Sequence, residues 1–306
     1  MSISLPHRWS NIHNTDQQSP HPATFVAGTV EIANNYFSAQ QAMNLSPLPE
    51  FLSLEIKKSV AQPRLQTAML DLDHLATLIH NGAEKTLCQE WLHRIEEEKL
   101  QTLHYEKRHL EWLGGRICAK EASLQYLHTN QSEAAAIRAP QLQIIRSASG
   151  RPFLDPSSLP EGLNMPHISI SHSRGYALAV AASTRCGIDI QAESETLVRV
   201  KDRFCSRAEE ELLENRLKQL RPSARLTLLW AAKEAIKKAG ISERMPGFLD
   251  LVLTHIQSSP ETGGHAHWAF ILYSQESHQV TVWLHQGYGI ALCVIPSQTC
   301  TGVDNA

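Results

Sequence analysis

Residues 228–238 read Leu-Leu-Trp-Ala-Ala-Lys-Glu-Ala-Ile-Lys-Lys and lie between Pro222 and Gly240. Ala, Leu, Lys and Glu are strong helix formers, proline opens helices and glycine closes them, so this run is committed to helix. At helical spacing Leu226, Leu229, Lys233 and Ile236 share one side, while Trp230, Glu234 and Lys238 form a neighbouring stripe. One carboxylate is thus presented with an aromatic a turn before it and a cation a turn after it. Taken alone, the run reads as an amphipathic helix whose Glu234–Lys238 pair is a solvated surface ion pair. Beyond Gly240 the periodicity changes from helical to alternating. Residues 249–256, 268–273, 279–284 and 289–295 read as strands, with Gly263-Gly264 and Gln286-Gly287 in turns, which gives a mostly antiparallel sheet.

A second stretch bears on Glu234. Cys186-Gly187-Ile188-Asp189-Ile190-Gln191 follows an apolar run, 176–182, and a short turn through Thr184 and Arg185. In a strand, Ile188 and Ile190 face the core while Asp189 and Gln191 share the other face. One carboxylate on a strand and one on a helix, both flanked by cations, suit a Mg²⁺–phosphate site. Magnesium prefers oxygen and commonly takes only one or two protein carboxylates, with water and phosphate completing its shell.

Composition excludes several alternatives. The 306 residues fit one large or two smaller units, and 42% hydrophobic with 19% charged residues is the balance of a globular protein. With 28 basic and 31 acidic residues the net charge is -3, which gives no footprint for bulk nucleic-acid or anionic-membrane binding. A local basic cleft stays open. The six cysteines form no C-x-x-C pair and read as buried small hydrophobes. The 16 histidines are scattered without paired metal spacing. No apolar run is long enough to span a membrane and no secretory signal opens the chain, so a cytoplasmic protein is expected.

Gly-Ile-Asp at 187–189, followed by Trp230-x-x-Lys233-Glu234-x-x-x-Lys238, resembles the signature pair of the 4′-phosphopantetheinyl transferases, in the larger single-chain form that activates surfactin and other peptide synthetases. The resemblance implies an α+β fold of two similar α/β lobes related by a pseudo-two-fold axis, with the site between them. The expected division is an N-terminal extension at 1–60, partly irregular, an N-terminal lobe at 61–183 and a C-terminal lobe at 184–306. Gly175-Tyr176-Ala177-Leu178-Ala179-Val180-Ala181, echoed by Gly287-Tyr288-Gly289-Ile290-Ala291-Leu292-Cys293, agrees with two related lobes.

The implied reaction moves the phosphopantetheine arm of coenzyme A to a serine of an apo acyl or peptidyl carrier protein and releases 3′,5′-ADP. By the resemblance Asp189 and Glu234 hold Mg²⁺. Glu234, or a water it orients, takes the serine proton, and Lys233 and Lys238 stabilise phosphate charge, with Lys237 as a competitor. Trp230 orients the helix. Many members place Glu two residues after the Asp; here Gln191 stands there, so its amide oxygen or a water would complete the metal shell.

The first half supplies the other candidates. Residues 65–72 read as a strand and 88–127 as helix broken near His104-Tyr105. In its second part Leu110, Leu113, Ile117 and Leu124 form a core stripe, and Arg108, Trp112, Arg116 and Lys120 lie four apart on another. Gly114-Gly115 costs helix stability, roughly 1 kcal/mol per glycine, and suggests close approach by a backbone or ligand. From the residues alone the basic stripe reads as a solvated face. By resemblance to the family's Lys-Arg-x-x-Glu-aromatic-x-x-x-Arg segment, Arg108 and Arg116 meet phosphates of coenzyme A, a task suited to the guanidinium fork. Arg151, in a Gly-Arg-Pro turn, is implied near the nucleotide end. Ser169-Ile170-Ser171-His172-Ser173 alternates as a half-buried strand. By resemblance His172 contacts a phosphate and Ser171 assists.

Further on, Ser206-Arg207-Ala208-Glu209 reads as a capping box opening a helix that runs to about Leu220. A monomer is expected, since single-chain members carry both halves of the site. Two rivals are a non-catalytic coenzyme A or nucleotide-binding protein of the same fold, and a Mg²⁺-dependent pyrophosphate-cleaving hydrolase.

Overall fold

A computed structural model describes residues 64–241, 245–258 and 267–296. The expected extension at 1–60, Gly263-Gly264 and Cys300 lie outside these residues. All described residues belong to one compact unit, Gln41–Ala306.

The first half opens with β1 (Leu65–Asp71), three short helices α1 (Leu72–His80), α2 (Glu84–Trp91) and α3 (Arg94–Gln101), and the long α4 (Glu106–Asn130). The break expected near His104-Tyr105 is present, and a second falls at Leu92-His93. A hairpin of β2 (Ile144–Arg146) and β3 (Pro152–Leu154) follows, then β4 (His167–Ser173) and β5 (Tyr176–Ala182). Strands β1, β5 and β4 form an antiparallel sheet in that order. The second half repeats the plan with β6 (Cys186–Ala192), α5 (Glu195–Arg199), α6 (Arg207–Arg216), α7 (Pro222–Ala239), β7 (Val252–Ser258), β8 (His267–Ser274), β9 (Glu276–His285) and β10 (Tyr288–Val294). Its antiparallel sheet has the order β6-β10-β9-β8-β7. The chain is α+β, as expected.

Helix α7 starts with Pro222 and stops at Gly240, whose left-handed conformation (φ 66°) suits glycine. It lies unusually close to β6. A Cβ on Gly187 would stand 1.9 Å from the carbonyl oxygen of Ala235, so only glycine permits the contact. In α4, a Cβ on Gly114 would meet Leu72 Cδ2 at 2.4 Å, which explains the glycine pair as close packing.

Both halves contain the same buried strut. The glutamate at the third position of a short helix, Glu96 in α3 and Glu209 in α6, closes a capping box. At the same interval along the chain, the long helix supplies a lysine that is fully buried, Lys120 or Lys233. Lys120 pairs with Glu96 and donates to the Ala139 carbonyl (3.1 Å). Lys233 pairs with Glu209 (2.7 Å) and donates to the carbonyls of Phe204 (2.6 Å) and Phe248 (3.0 Å). Each glutamate also accepts a strand-entry N–H, from Ile144 (3.1 Å) or Leu253 (2.8 Å). Lys233 thus has three acceptors and Lys120 two, a carboxylate among them in each case, which is what burying a charge requires.

The sheets meet edge to edge through side chains. Hydroxyls of Ser169, Ser171 and Ser173 on β4 accept the N–H groups of Ile188 (3.1 Å), Ile190 (3.2 Å) and Ala192 (2.9 Å) on β6. Each bond spans 19 residues, so the two strands run parallel. Leu178, Val180, Ile188, Ile190, Trp283 and Ile290 form a common core behind this seam. The repeated tyrosines, Tyr176 and Tyr288, meet edge to face at 5.2 Å.

The cysteines at 88, 118, 186, 205 and 293 are buried free thiols, and burial pushes Cys186 and Cys293 up to about 12. They act as small core residues rather than nucleophiles.

Candidate active site

A cavity of about 260 Å³ opens where α4, the β2–β3 hairpin, β4 and the end of α7 converge. Its cations are Arg108 and Arg116 from α4, Arg146 and Arg151 from the hairpin, and Lys237 and Lys238 from α7. Glu111 is the one carboxylate among its described lining residues. Two flanking compartments, of about 500 and 550 Å³, share lining residues with it. Arg108, Trp112, Arg116 and Arg146 border one neighbour, and Ser149, Arg151, Lys237 and Met245 the other, so the three form a continuous groove. A chain of net charge -3 thus concentrates positive charge in one place.

The α4 arginines differ in how firmly they are held. Arg108 is exposed at the mouth. Arg116 is buried, lies over the Trp112 ring (4.7 Å to the centroid) and has Nε 3.3 Å from Glu96 Oε1. Its Nε makes no hydrogen bond. Arg151 passes beside Gly240, where a Cβ would stand 2.5 Å from its Nη1. Burial and the nearby Arg185 lower its pKa.

Asp189 lies beside the cleft and is buried. Its Oδ1 accepts from Lys238 Nζ (2.6 Å) and from the Ser171 hydroxyl (2.8 Å). Glu234 sits one helical turn before Lys238 on the same stripe and has Lys237 Nζ 3.5 Å away. The second ammonium also covers the Phe248 ring, at 3.8 Å. Each of the two carboxylates is therefore next to a lysine from the last turns of α7. Gln191 donates its amide to the Ala192 carbonyl (3.1 Å), so that side chain lies along its own strand. Among the described residues no group of three or more His, Cys, Asp or Glu converges as a metal cage.

His172 lines the cavity with Nδ1 3.5 Å from Glu111 Oε1. Burial lowers its pKa; Glu111 opposes this, Lys238 and Arg108 add to it, and Asp189 opposes. Ser171 is placed differently from its expected phosphate role: its hydroxyl is buried in the seam and engaged with Asp189 and Ile190. Lys233 is also elsewhere. Its ammonium points into the second half's core, where Glu209 and two carbonyls take its protons, and burial lowers its pKa. Trp230 packs edge-on to Phe204 (5.1 Å) and stacks on Phe248 (4.5 Å).

Sequence reasoning gave no role to Glu111, although it fills the acidic position of the segment compared at 107–116, and none to Arg146. Glu111 lies one turn before Gly115 on the helix whose arginines were singled out, so its helical position was available as a signal. Arg146 closes a strand whose partner is unknowable before folding.

A family model described as the 4′-phosphopantetheinyl transferase superfamily matches residues 185–293. The holo-[acyl-carrier-protein] synthase of Staphylococcus epidermidis is 30% identical over 102 residues, which are 33% of this chain and 81% of that protein. The synthase of the same name from Staphylococcus haemolyticus is 26% identical over 111 residues, covering 36% and 87%. The crystal structure of holo-ACP-synthase from Plasmodium yoelii aligns over 39% of this chain and 91% of that one, with a TM-score of 0.31 and 16% identity. The chain belongs to the 4′-phosphopantetheinyl transferase superfamily, a family of transferase enzymes. Arg108, Arg116, Arg151, Ser171 and His172 lie outside the span that the family model matches.

Proposed function

We propose that the protein transfers the 4′-phosphopantetheine group of coenzyme A to a serine of an apo acyl or peptidyl carrier protein, with Mg²⁺, releasing 3′,5′-ADP. One observation carries this reading: the Asp189–Lys238 pair borders a groove lined by six cationic side chains. Coenzyme A has three phosphate groups, and a groove of this charge suits them.

The donor set fits Mg²⁺. Asp189 and Glu234 offer hard oxygens in the small number this ion takes from protein, and an ammonium already occupies the Asp189 oxygen. Gln191 has an uncharged amide oxygen to add, or a water takes that place. When bound, the ion neutralises pyrophosphate charge and polarises its oxygens.

In this reading Arg108, Arg116, Arg151 and His172 hold phosphates, joined by Arg146. Lys238 turns its ammonium from Asp189 to a pyrophosphate oxygen and meets the charge that develops there. Glu234 takes the proton of the attacking serine hydroxyl, a contribution commonly of about 10² to 10⁴. Lys233 has no such part and is read as the strut that holds α7. Both walls of the groove come from one chain, which supports a monomer. No described helix is long and apolar enough to cross a membrane. We place the enzyme in the cytoplasm, with its substrates, and divide it into lobes near residue 183.

Incubation of the protein with coenzyme A, Mg²⁺ and an apo carrier tests the reading by mass spectrometry. A transferase adds the phosphopantetheine mass to the carrier. Product released from coenzyme A without a carrier would indicate the hydrolase, and binding without turnover would indicate the non-catalytic protein.

A further inference from the structure

We infer that Ser171 is a positioning residue, which from the first half of the chain aims the Asp189 carboxylate of the second half. The inference rests on the transfer reading only for its kinetic consequence.

A hydroxyl has one proton to give. Ser171 gives it to Asp189 Oδ1 (2.8 Å) and receives the Ile190 N–H (3.2 Å). Both residues are buried, at 4% and 5% exposure, so water does not compete with these bonds. The Ile190 N–H fixes the direction of the relay, because it occupies an acceptor position on the oxygen and leaves the proton for the carboxylate. Lys238 binds the same Oδ1 (2.6 Å), so neither donor holds the other carboxylate oxygen. Lys238 belongs to the cleft and has a second use there; Ser171 is sealed in the seam. During turnover the serine is therefore the constant anchor.

The serine row contains its own control. Ser173 accepts the Ala192 N–H at 2.9 Å, the next rung of the same seam, two residues beyond the Asp189 rung. Replacing either serine by alanine removes one hydroxyl and leaves one backbone N–H without its acceptor. Only at position 171 does the loss also release Asp189.

Ser171→Ala, Ser171→Thr and Ser173→Ala decide the matter, by crystal structure, thermal unfolding and steady-state kinetics with coenzyme A and an apo carrier. Both alanine variants are expected to lose thermal stability, Ser171→Ala more than Ser173→Ala because it also gives up the bond to the carboxylate. In Ser171→Ala alone the Asp189 carboxylate leaves its rotamer, and kcat falls on the order of tenfold to a hundredfold with KM for coenzyme A nearly unchanged. Ser171→Thr, which keeps the hydroxyl, restores both. An unmoved Asp189 in Ser171→Ala overturns the inference. So does equal loss of kcat in both alanine variants, which would reduce Ser171 to a seam residue. A raised KM for coenzyme A at unchanged kcat overturns it in favour of a direct phosphate contact. If Ser171→Ala does not fold, Ser171→Cys takes its place, with the same shape, a somewhat larger atom and a weaker donor. Should the wild type transfer nothing, the transfer reading fails, and the Asp189 rotamer still decides the role of Ser171.

Discussion

Lys238 Nζ lies 2.6 Å from Asp189 Oδ1, joining the last turn of α7 to the middle of β6. That bond brings the helix motif and the strand motif into one constellation, though 49 residues separate them.

Asp189→Ala and Glu234→Ala are expected to fold and to lose a hundredfold or more of carrier labelling, a loss of the size found when a group acting in the transition state is removed. Asp189→Ala also strips Lys238 and Ser171 of their acceptor, which costs about 1 to 3 kcal/mol of stability. Mass spectrometry of an apo carrier and denaturant unfolding read the two effects separately. Near-normal labelling by either variant would reject the assigned roles.

Lys233→Ala is expected to act on the fold. It leaves the Glu209 carboxylate buried without its cation, at a cost of about 3 to 5 kcal/mol. Urea unfolding should show that loss, while turnover per folded molecule stays within a few-fold of wild type. A hundredfold fall in turnover at unchanged stability would return Lys233 to the phosphates.

Gly187→Ala puts a methyl group 1.9 Å from the Ala235 carbonyl oxygen. Backbone has to move, so α7 separates from β6 at a cost of about 3 kcal/mol or more. Soluble yield and melting temperature should both drop, and Asp189 and Lys238 should part.

Burial holds His172 below the ordinary imidazole range, against the pull of Glu111. In the free protein at neutral pH the ring is therefore mostly uncharged. A phosphate beside it favours the charged form and raises its pKa. Coenzyme A binding then takes up a proton between the free and bound values, and affinity strengthens as pH falls through that window. Calorimetry in buffers of different ionisation enthalpy measures the uptake, and His172→Gln should abolish it. Unaltered uptake in that variant would assign the proton to another group.

Much of the fold was legible because the signals are local. Pro222 and Gly240 bound α7 as expected, and Ser206 with Glu209 marked the start of α6. The strand expected at 249–256 begins three residues later, at Val252, because residues 248–250 form a turn. The helix expected to reach Leu220 ends at Arg216, with Leu217 turned into the core. Ala-Lys-Glu-Ala at 119–122 and again at 232–235 was a visible sign of the repeated strut. Its first glutamate was harder to find, since the capping box at Glu96 begins with His93 rather than a serine.

The stripe of Leu226, Leu229, Lys233 and Ile236 already set Lys233 on the apolar side of its helix, while family resemblance assigned it to phosphate. All four are buried, so periodicity was the better guide to where that ammonium lies. The same reasoning had no means of finding a partner for Ser171. Its hydrogen bonds cross between two sheet edges, and nothing near position 171 in the chain encodes them.

The order of amino acids alone determined the helices, the strands and the two motifs, because propensity, capping and periodicity act within a few residues. Folding in three dimensions decided which cation each carboxylate meets: Lys238 for Asp189, Lys237 for Glu234, Lys233 for Glu209. Charges attract through space and are sorted by burial, and both depend on how helix and sheet come together rather than on distance along the chain.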